Sequence, residues 1–179
     1  MGQPVNVGTF VRAETARMFD DILAQAGGVN AWVHMRGPVA LDRQTVIRMN
    51  RDTLYSSAVV DISQGATLTV PDCGDRYLSV MVVNEDHHVN AILRDPGRHR
   101  LSVDDHHTPF VNLSVRLFVD PADPDDVAAV NALQDQFTID AASTGPYTHP
   151  DYDSAGLDHT RGLLLQLMEG VPDSRGLFG

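Results

Sequence analysis

Two groups of polar side chains, each beside a run of β-forming residues, carry the strongest chemical signal in this sequence. The first is the stretch 50–53, with Arg48 before it and Tyr55 after it. Successive side chains of an extended chain alternate between faces, so Arg48, Asn50 and Asp52 share one face. There they can hold a carboxylate or another polar ligand. The alternative is an internal network in which Arg48 neutralises Asp52 and the side chain of Asn50 stabilises a turn. The candidate ligand contacts of this group are Arg48, Asn50, Asp52 and Tyr55.

The second group is the stretch 84–88, Asn-Glu-Asp-His-His, which ends an apolar run. Alternation places Asp86 and His88 on one face and Glu85 and His87 on the other. A carboxylate beside an imidazole is both a metal-ligand pair and a general-base pair. A metal would need a third ligand from elsewhere, and no spaced motif such as H-E-x-x-H supplies one. The alternative is a polar strand end facing water. The candidates are Asp86, His87 and His88 as metal ligands, Glu85 or Asp52 as catalytic base, and Asp86 as a ligand contact.

The composition excludes several other kinds of site. A formal net charge of -11, with 13 Lys and Arg against 24 Asp and Glu, argues against a nucleic-acid partner. The single cysteine, Cys73, excludes an internal disulfide and a thiolate zinc site. The sequence has neither a G-x-S-x-G elbow nor a glycine-rich phosphate loop. The one basic patch surrounds the turn residues 95–97, so we expect a solvated loop there. Its members are Arg94, Arg98, His99 and Arg100.

Hydrophobic periodicity indicates a mainly β chain with helices near both ends. Apolar residues at helical spacing predict helices over about 9–26, 125–138 and 157–169. Many short β-forming runs separated by Gly, Pro and Asp turns lie between the first two helices. The turn 63–65 predicts a β-hairpin. We therefore expect one domain over residues 1–179, an antiparallel β-sandwich or barrel with flanking helices.

The location of the protein is also predicted from what the sequence lacks. The N-terminus has no apolar leader region, and no apolar run approaches the ~18 residues of a membrane span. We therefore expect a cytoplasmic protein with no membrane partner.

A long compound motif resembles the bacterial domain-of-unknown-function 1254 family, and the likeness runs over about residues 5–179. The resemblance implies a β-sandwich of jelly-roll type with short flanking helices, and it implies no reaction. Members of this family commonly continue past a Phe-Gly like Phe178-Gly179 into a second β-rich domain. We therefore expect either a free-standing version or a chain whose second domain is separate. The motif consists of Arg48–Tyr55 (Arg-Met-Asn-Arg-Asp-Thr-Leu-Tyr), Asp61, Pro71, Gly74–Tyr77 (Gly-Asp-Arg-Tyr), Asp86-His87, Arg116–Asp120 and Leu133–Gln136.

Three hypotheses about function follow, and we prefer the first. It is a small-molecule-binding β-sandwich in which both polar groups line one pocket, Arg48 holds an anionic group, and Asn50 and Tyr55 donate hydrogen bonds. The second is a metal-assisted hydrolase or lyase, in which Asp86 with His87 or His88 holds a divalent ion. The third is a structural half of a two-domain assembly that uses the apolar face of its C-terminal helix. We predict no cofactor for the first hypothesis, and a homo-oligomer or a separate second domain as protein partner.

Overall fold

In the computed structural model, which describes residues 2–39 and 50–171, eight strands form two antiparallel sheets flanked by helices. The strands are β1 Val33–His34, β2 Thr53–Asp61, β3 Ala66–Val70, β4 Leu78–Asn84, β5 Val89–Leu93, β6 Gly97–Leu101, β7 Phe110–Phe118 and β8 Thr138–Ala141. The helices are α1 Phe10–Ala26, α2 Val103–His106, α3 Pro124–Gln134 and α4 Ser154–Met168. The predicted strand 45–49 lies outside the described residues.

The two sheets bury one shared hydrophobic core. The larger sheet has the order β1-β2-β7-β4-β5 and the smaller one β6-β3-β8. Val60, Val80 and Leu113 of the larger sheet and Leu68 and Leu101 of the smaller sheet belong to the same buried cluster. This arrangement confirms the predicted mainly β, antiparallel fold with flanking helices. The jelly-roll strand order stays a prediction.

Helix α1 lies on the outer face of the larger sheet, opposite the shared core. Its Phe19 is fully buried in a second cluster with Val59 of β2 and Phe110 of β7. The helix ends at Gly27, whose φ of 84° is left-handed and costs glycine little. The larger sheet is therefore covered on one face by the smaller sheet and on part of the other by α1.

The predicted hairpin at residues 63–65 is wrong. β2 pairs with β1 and β7, whereas β3 pairs with β6 and β8. The turn therefore carries the chain from one sheet to the other. Turn chemistry is a local signal and does not distinguish a hairpin from a crossing between two packed sheets.

Three further segments differ from their predictions. Helix α3 ends at Gln134 rather than near residue 138, because Phe137 enters the core and β8 follows it. The basic patch predicted as a loop lies largely in strand β6, at an edge of the smaller sheet. α4 begins at Ser154, where the side chain of Asp153 accepts a hydrogen bond from the Ala155 N–H.

Within residues 2–39 and 50–171, no helix has both the length and the apolar character needed to cross a membrane.

We predict that Phe19→Ala lowers the free energy of unfolding by about 3 to 5 kcal/mol, because it leaves a cavity between α1 and the sheet. Urea denaturation followed by circular dichroism measures the change. Val11→Ala is the matched control, since Val11 lies on the same helix and is 50% exposed. We expect the control to change stability by about 0.5 kcal/mol or less. Equal effects of the two substitutions would contradict the packing of α1 described above.

Candidate functional site

The two predicted polar groups lie at opposite ends of the larger sheet, so they do not line one pocket. Register across β2, β7 and β4 places Leu54 beside Leu117 and Leu78, and Val60 beside Val111 and Asn84. The stretch 50–55 is therefore at one end of the sheet and the stretch 84–88 at the other. The two ends of β2 are roughly 26 Å apart at about 3.3 Å per residue. The expectation of one shared pocket is wrong because β2 and β4 both pair antiparallel with β7 and so run in the same direction. The first group lies at the start of β2 and the second at the end of β4.

The residues of the first polar group have different positions: Asn50 lies in a turn, and Tyr55 lines a pocket. Asn50 Nδ2 donates to Thr53 Oγ1 at 3.1 Å, as the internal-network alternative predicts. Asp52 is exposed, and its backbone carbonyl accepts from the Val119 N–H at 2.8 Å. Tyr55 is half-buried on the outer face of the sheet, and the Arg116 guanidinium carbon lies 5.4 Å from its ring centroid. Arg48 lies outside the described residues.

Tyr55 lines a pocket between α1 and the outer face of β1 and β2. The cavity has a volume of about 170 Å³ and is walled mainly by apolar atoms. Ligand sites combine apolar walls with a few polar groups in this way. The lining residues are Ile22 and Gln25 of α1, Val33 and Met35 of the β1 segment, and Tyr55, Ser56 and Ser57 of β2.

Local sequence patterns position these side chains. Tyr55 and Ser57 are two residues apart in β2 and therefore point to the same face. Ile22 and Gln25 are three apart in α1 and lie on one side of the helix. The Met35 N–H donates to the Tyr55 carbonyl at 2.8 Å, which extends β1 pairing to the pocket wall. Two short-range periodicities and one backbone hydrogen bond thus position the residues of one cavity.

A buried network beside the pocket attaches α3 to β2. His34 Nδ1 lies 2.7 Å from the Ser56 hydroxyl oxygen, and Gln134 Nε2 donates to the same oxygen at 3.0 Å. Ser56 is 1% exposed and Gln134 is fully buried. Burial and the nearby Arg36 lower the pKa of His34 below its usual value. Histidine is a residue type that ligates metals, but the Nδ1 atom of His34 is engaged in a hydrogen bond with the buried Ser56 hydroxyl.

Glu85, a candidate catalytic base, is a buried carboxylate at the far end of the sheet. One oxygen lies 3.4 Å from an Arg12 guanidinium nitrogen, and the other accepts from the Phe110 N–H at 3.3 Å. Burial raises the pKa of Glu85, although Arg12 and the Phe110 N–H act in the opposite direction. The carboxylate joins α1 to the turn after β4.

The three candidate metal ligands beside Glu85 are exposed and do not converge. Asp86 accepts from Arg12 at 2.6 Å, and His87 Nδ1 lies 3.0 Å from Thr15 Oγ1. Asn84 organises this turn, because its side-chain oxygen accepts from the backbone N–H groups of Asp86 and His88. Among the residues that the structure describes, no group of three or more His, Cys, Asp or Glu side chains could hold a metal ion. A divalent ion at this turn stays a prediction.

Asp61 anchors the irregular segment 143–147 over α1, a role that sequence reasoning missed. Its side chain is buried and accepts from the Ser143 hydroxyl at 2.5 Å, the Gly145 N–H at 3.0 Å and the Ser63 N–H at 2.9 Å. Burial acts to raise the pKa of Asp61, but these hydrogen bonds outweigh it and leave the pKa below its ordinary value. The family resemblance at Asp61 was the one sequence signal for it.

The segment 143–147, which Asp61 anchors, places Tyr147 against Phe19 of α1 and Phe110 of β7. The ring centroid of Tyr147 lies 5.4 Å from that of Phe19 and 5.2 Å from that of Phe110. Burial raises the pKa of the Tyr147 phenol well above its usual value, and the carboxylates of Glu85 and Asp20 act in the same direction. Tyr147 therefore stays neutral and packs α1 against the sheet. No periodicity in residues 143–153 indicated this contact.

The pH dependence of the stability of the Asp61→Asn variant tests whether the Asp61 carboxylate anchors the segment 143–147. A carboxyl whose pKa is lowered on folding stabilises the protein fully above its unfolded pKa of about 3.9, and this stabilisation is lost as pH falls through the folded value. At pH 7 we predict that the substitution lowers the free energy of unfolding by about 1 to 3 kcal/mol. Below about pH 4 the difference should shrink, because the Asp61 carboxyl of the unfolded wild type takes up a proton at a higher pH than that of the folded protein. Urea denaturation at pH 7 and pH 3 measures both values. A difference that is the same at both pH values would contradict the anchor.

Comparison with known proteins supports the family resemblance that the sequence motifs indicate. The chain is similar to the crystal structure of the VPA0106 protein from Vibrio parahaemolyticus, with a TM-score of 0.61 and 17% identity. This likeness covers 79% of the present chain but 40% of that chain, and at such low identity it shows the fold alone. No curated protein matches the chain. Residues 29–100 match the family described as "Protein of unknown function (DUF1254)". The resemblance to the domain-of-unknown-function 1254 family predicted from the sequence is thereby confirmed, over residues 29–100.

Proposed function

We propose that this protein binds a small organic molecule in the pocket between α1 and the outer face of β1 and β2. The observation that carries the proposal is the composition of the pocket wall. The side chains of Ile22, Val33 and Met35 supply apolar surface, while Gln25 and Tyr55 bring polar groups to the same cavity. A wall of this kind recognises a ligand with an apolar body and one polar end.

The volume limits the size of the ligand. A dry apolar cavity of about 150 Å³ holds a benzene molecule, and this pocket has about 170 Å³. We therefore propose a single ring or a short alkyl chain. Its polar end would form hydrogen bonds with the Tyr55 and Ser57 hydroxyls or with the Gln25 amide.

Arg116 extends the polar end of the proposed site. It neighbours Tyr55 across the β2–β7 pair, and its guanidinium lies over the Tyr55 ring. Among the described residues, no carboxylate lies within 4.0 Å of Arg116 in an ion pair. A ligand carboxylate that reaches past Tyr55 would therefore meet an available cation. This supports a preference for ligands that carry a negative charge.

The proposal is a binding function and assigns no reaction. Glu85 and the candidate metal ligands of the metal-assisted alternative lie at the opposite end of the sheet from this pocket, whereas Asp52, the other candidate base, is exposed at the same end as the pocket. The alternative of a two-domain assembly rests on α4, whose Leu165 and Leu167 are 63% and 76% exposed.

The test measures binding of three single-ring probes, phenol, benzyl alcohol and benzoate, by ligand-observed NMR. We expect saturable binding, with benzoate the tightest of the three because of Arg116. Gln25→Phe should fill the pocket mouth from α1 and abolish binding. Tyr55→Phe should weaken binding by about threefold to tenfold, which corresponds to the loss of one hydrogen bond.

Ala24→Phe is the matched control for the filled pocket. Ala24 is exposed on α1 next to Gln25 and does not line the cavity. The control should bind all three probes like the wild type. If Gln25→Phe and Ala24→Phe bind the probes equally well, the probes bind elsewhere and the proposal is wrong. Absence of saturable binding by all three probes would also contradict it.

A further inference from the structure

The outer face of the smaller sheet carries a polar surface centred on Arg100. Arg98 and Arg100 are two residues apart in the edge strand β6, so both point to this face. They lie opposite Thr69 and Thr67 of the central strand β3. Both arginines are exposed and both threonines are half-buried. This face is on the opposite side of the sandwich from the pocket under α1.

The two arginines differ in their charge environment. Arg98 lies 3.9 Å from a carboxylate oxygen of Asp140 in β8, so its charge is partly compensated. For Arg100, no carboxylate lies within 4.0 Å in residues 2–39 and 50–171. Arg100 is therefore the cation of this face that is available to a ligand, in a protein whose formal net charge is -11.

Two concavities adjoin at Arg100. Their volumes are about 310 and 290 Å³, and Arg100 lines both, as do Gln64 and Gly65. Unlike the pocket under α1, these concavities are lined largely by hydrogen-bonding groups. The other polar residues that line one or both concavities are Ser63, Gln64, Thr67, Ser102, Asp104 and Asp140.

From this arrangement we infer that the Arg100 surface binds a hydroxylated organic anion, such as a sugar acid or a sugar phosphate. A guanidinium holds a carboxylate or a phosphate through two parallel hydrogen bonds. Carboxylate, amide and hydroxyl side chains accept hydrogen bonds from the hydroxyl groups of such a ligand, and amide and hydroxyl side chains also donate to them. Asp104 and Asp140 flank the cation, so they select against a bare polyanion and favour a ligand that presents hydroxyls beside its acidic group.

The test uses gluconate and glucose 6-phosphate as the two sources of the acidic group, with isothermal titration calorimetry at low ionic strength. We expect saturable binding of at least one of them, and the tighter of the two identifies the acidic group. Glucose lacks the acidic group and inorganic phosphate lacks the sugar hydroxyls, so each should bind at least tenfold more weakly. Low salt is needed because exposed charges are screened over about 10 Å at 0.1 M.

Arg100→Gln should weaken the binding of the tighter probe by about tenfold or more, as expected for a charged hydrogen bond. Arg98→Gln is the matched control on the same strand and face, and it should change binding by less than threefold. The Gln25→Phe variant, in helix α1 against the other sheet, should bind these probes like the wild type. The inference is overturned if neither probe binds at millimolar concentration, if inorganic phosphate binds as tightly as the organic anions, or if both arginine variants weaken binding equally.

Discussion

The attachment of α1 to the outer face of the larger sheet is the constraint on which the proposed pocket depends. Phe19 is buried between the helix and the strands, and Arg12 at the N-terminal end of the helix pairs with Glu85 and Asp86. Ile22 and Gln25 then reach the cavity from the last turns of the same helix. One rigid helix thus connects the buried carboxylate at one end of the sheet to the pocket wall. Any change that shifts α1 should change the pocket as well.

Two buried carboxylates at one end of the larger sheet have opposite pKa shifts, and hydrogen bonding explains the difference. Asp61 pairs with Phe110 across the β2–β7 ladder, and Glu85 accepts from the Phe110 N–H. Hydrogen bonds from two backbone N–H groups and a hydroxyl lower the pKa of Asp61 despite burial, whereas burial dominates at Glu85 and raises its pKa. Asp61 is therefore the stronger structural anchor. Through the segment 143–147 it also holds Tyr147 against α1.

Local patterns in the sequence predicted elements well and long-range arrangements poorly. The period of 3.6 residues predicted α1, because Phe19 and Ile22 form one apolar side. It gave no information on strand register, which separates Asp52 from Glu85 by the length of a sheet. Tyr55 was predicted as a ligand contact from its position in a polar stretch, but its pocket partners Gln25 and Met35 come from other elements and have no local signal. The strand β8 was missed because its alternating run, Thr138–Ala141, is only four residues long and its first residue fell at the end of the predicted helix 125–138.

Methyl NMR of methionine-labelled protein, titrated with benzoate, tests the central claim most directly. Met35 lines the pocket, whereas Met81 in β4 and Met168 in α4 do not. If the pocket under α1 is the binding site, the Met35 methyl resonance shifts and saturates with benzoate, while the resonances of Met81 and Met168 stay in place. Shifts confined to Met81 or Met168, or the absence of any saturable shift at Met35, would contradict the account.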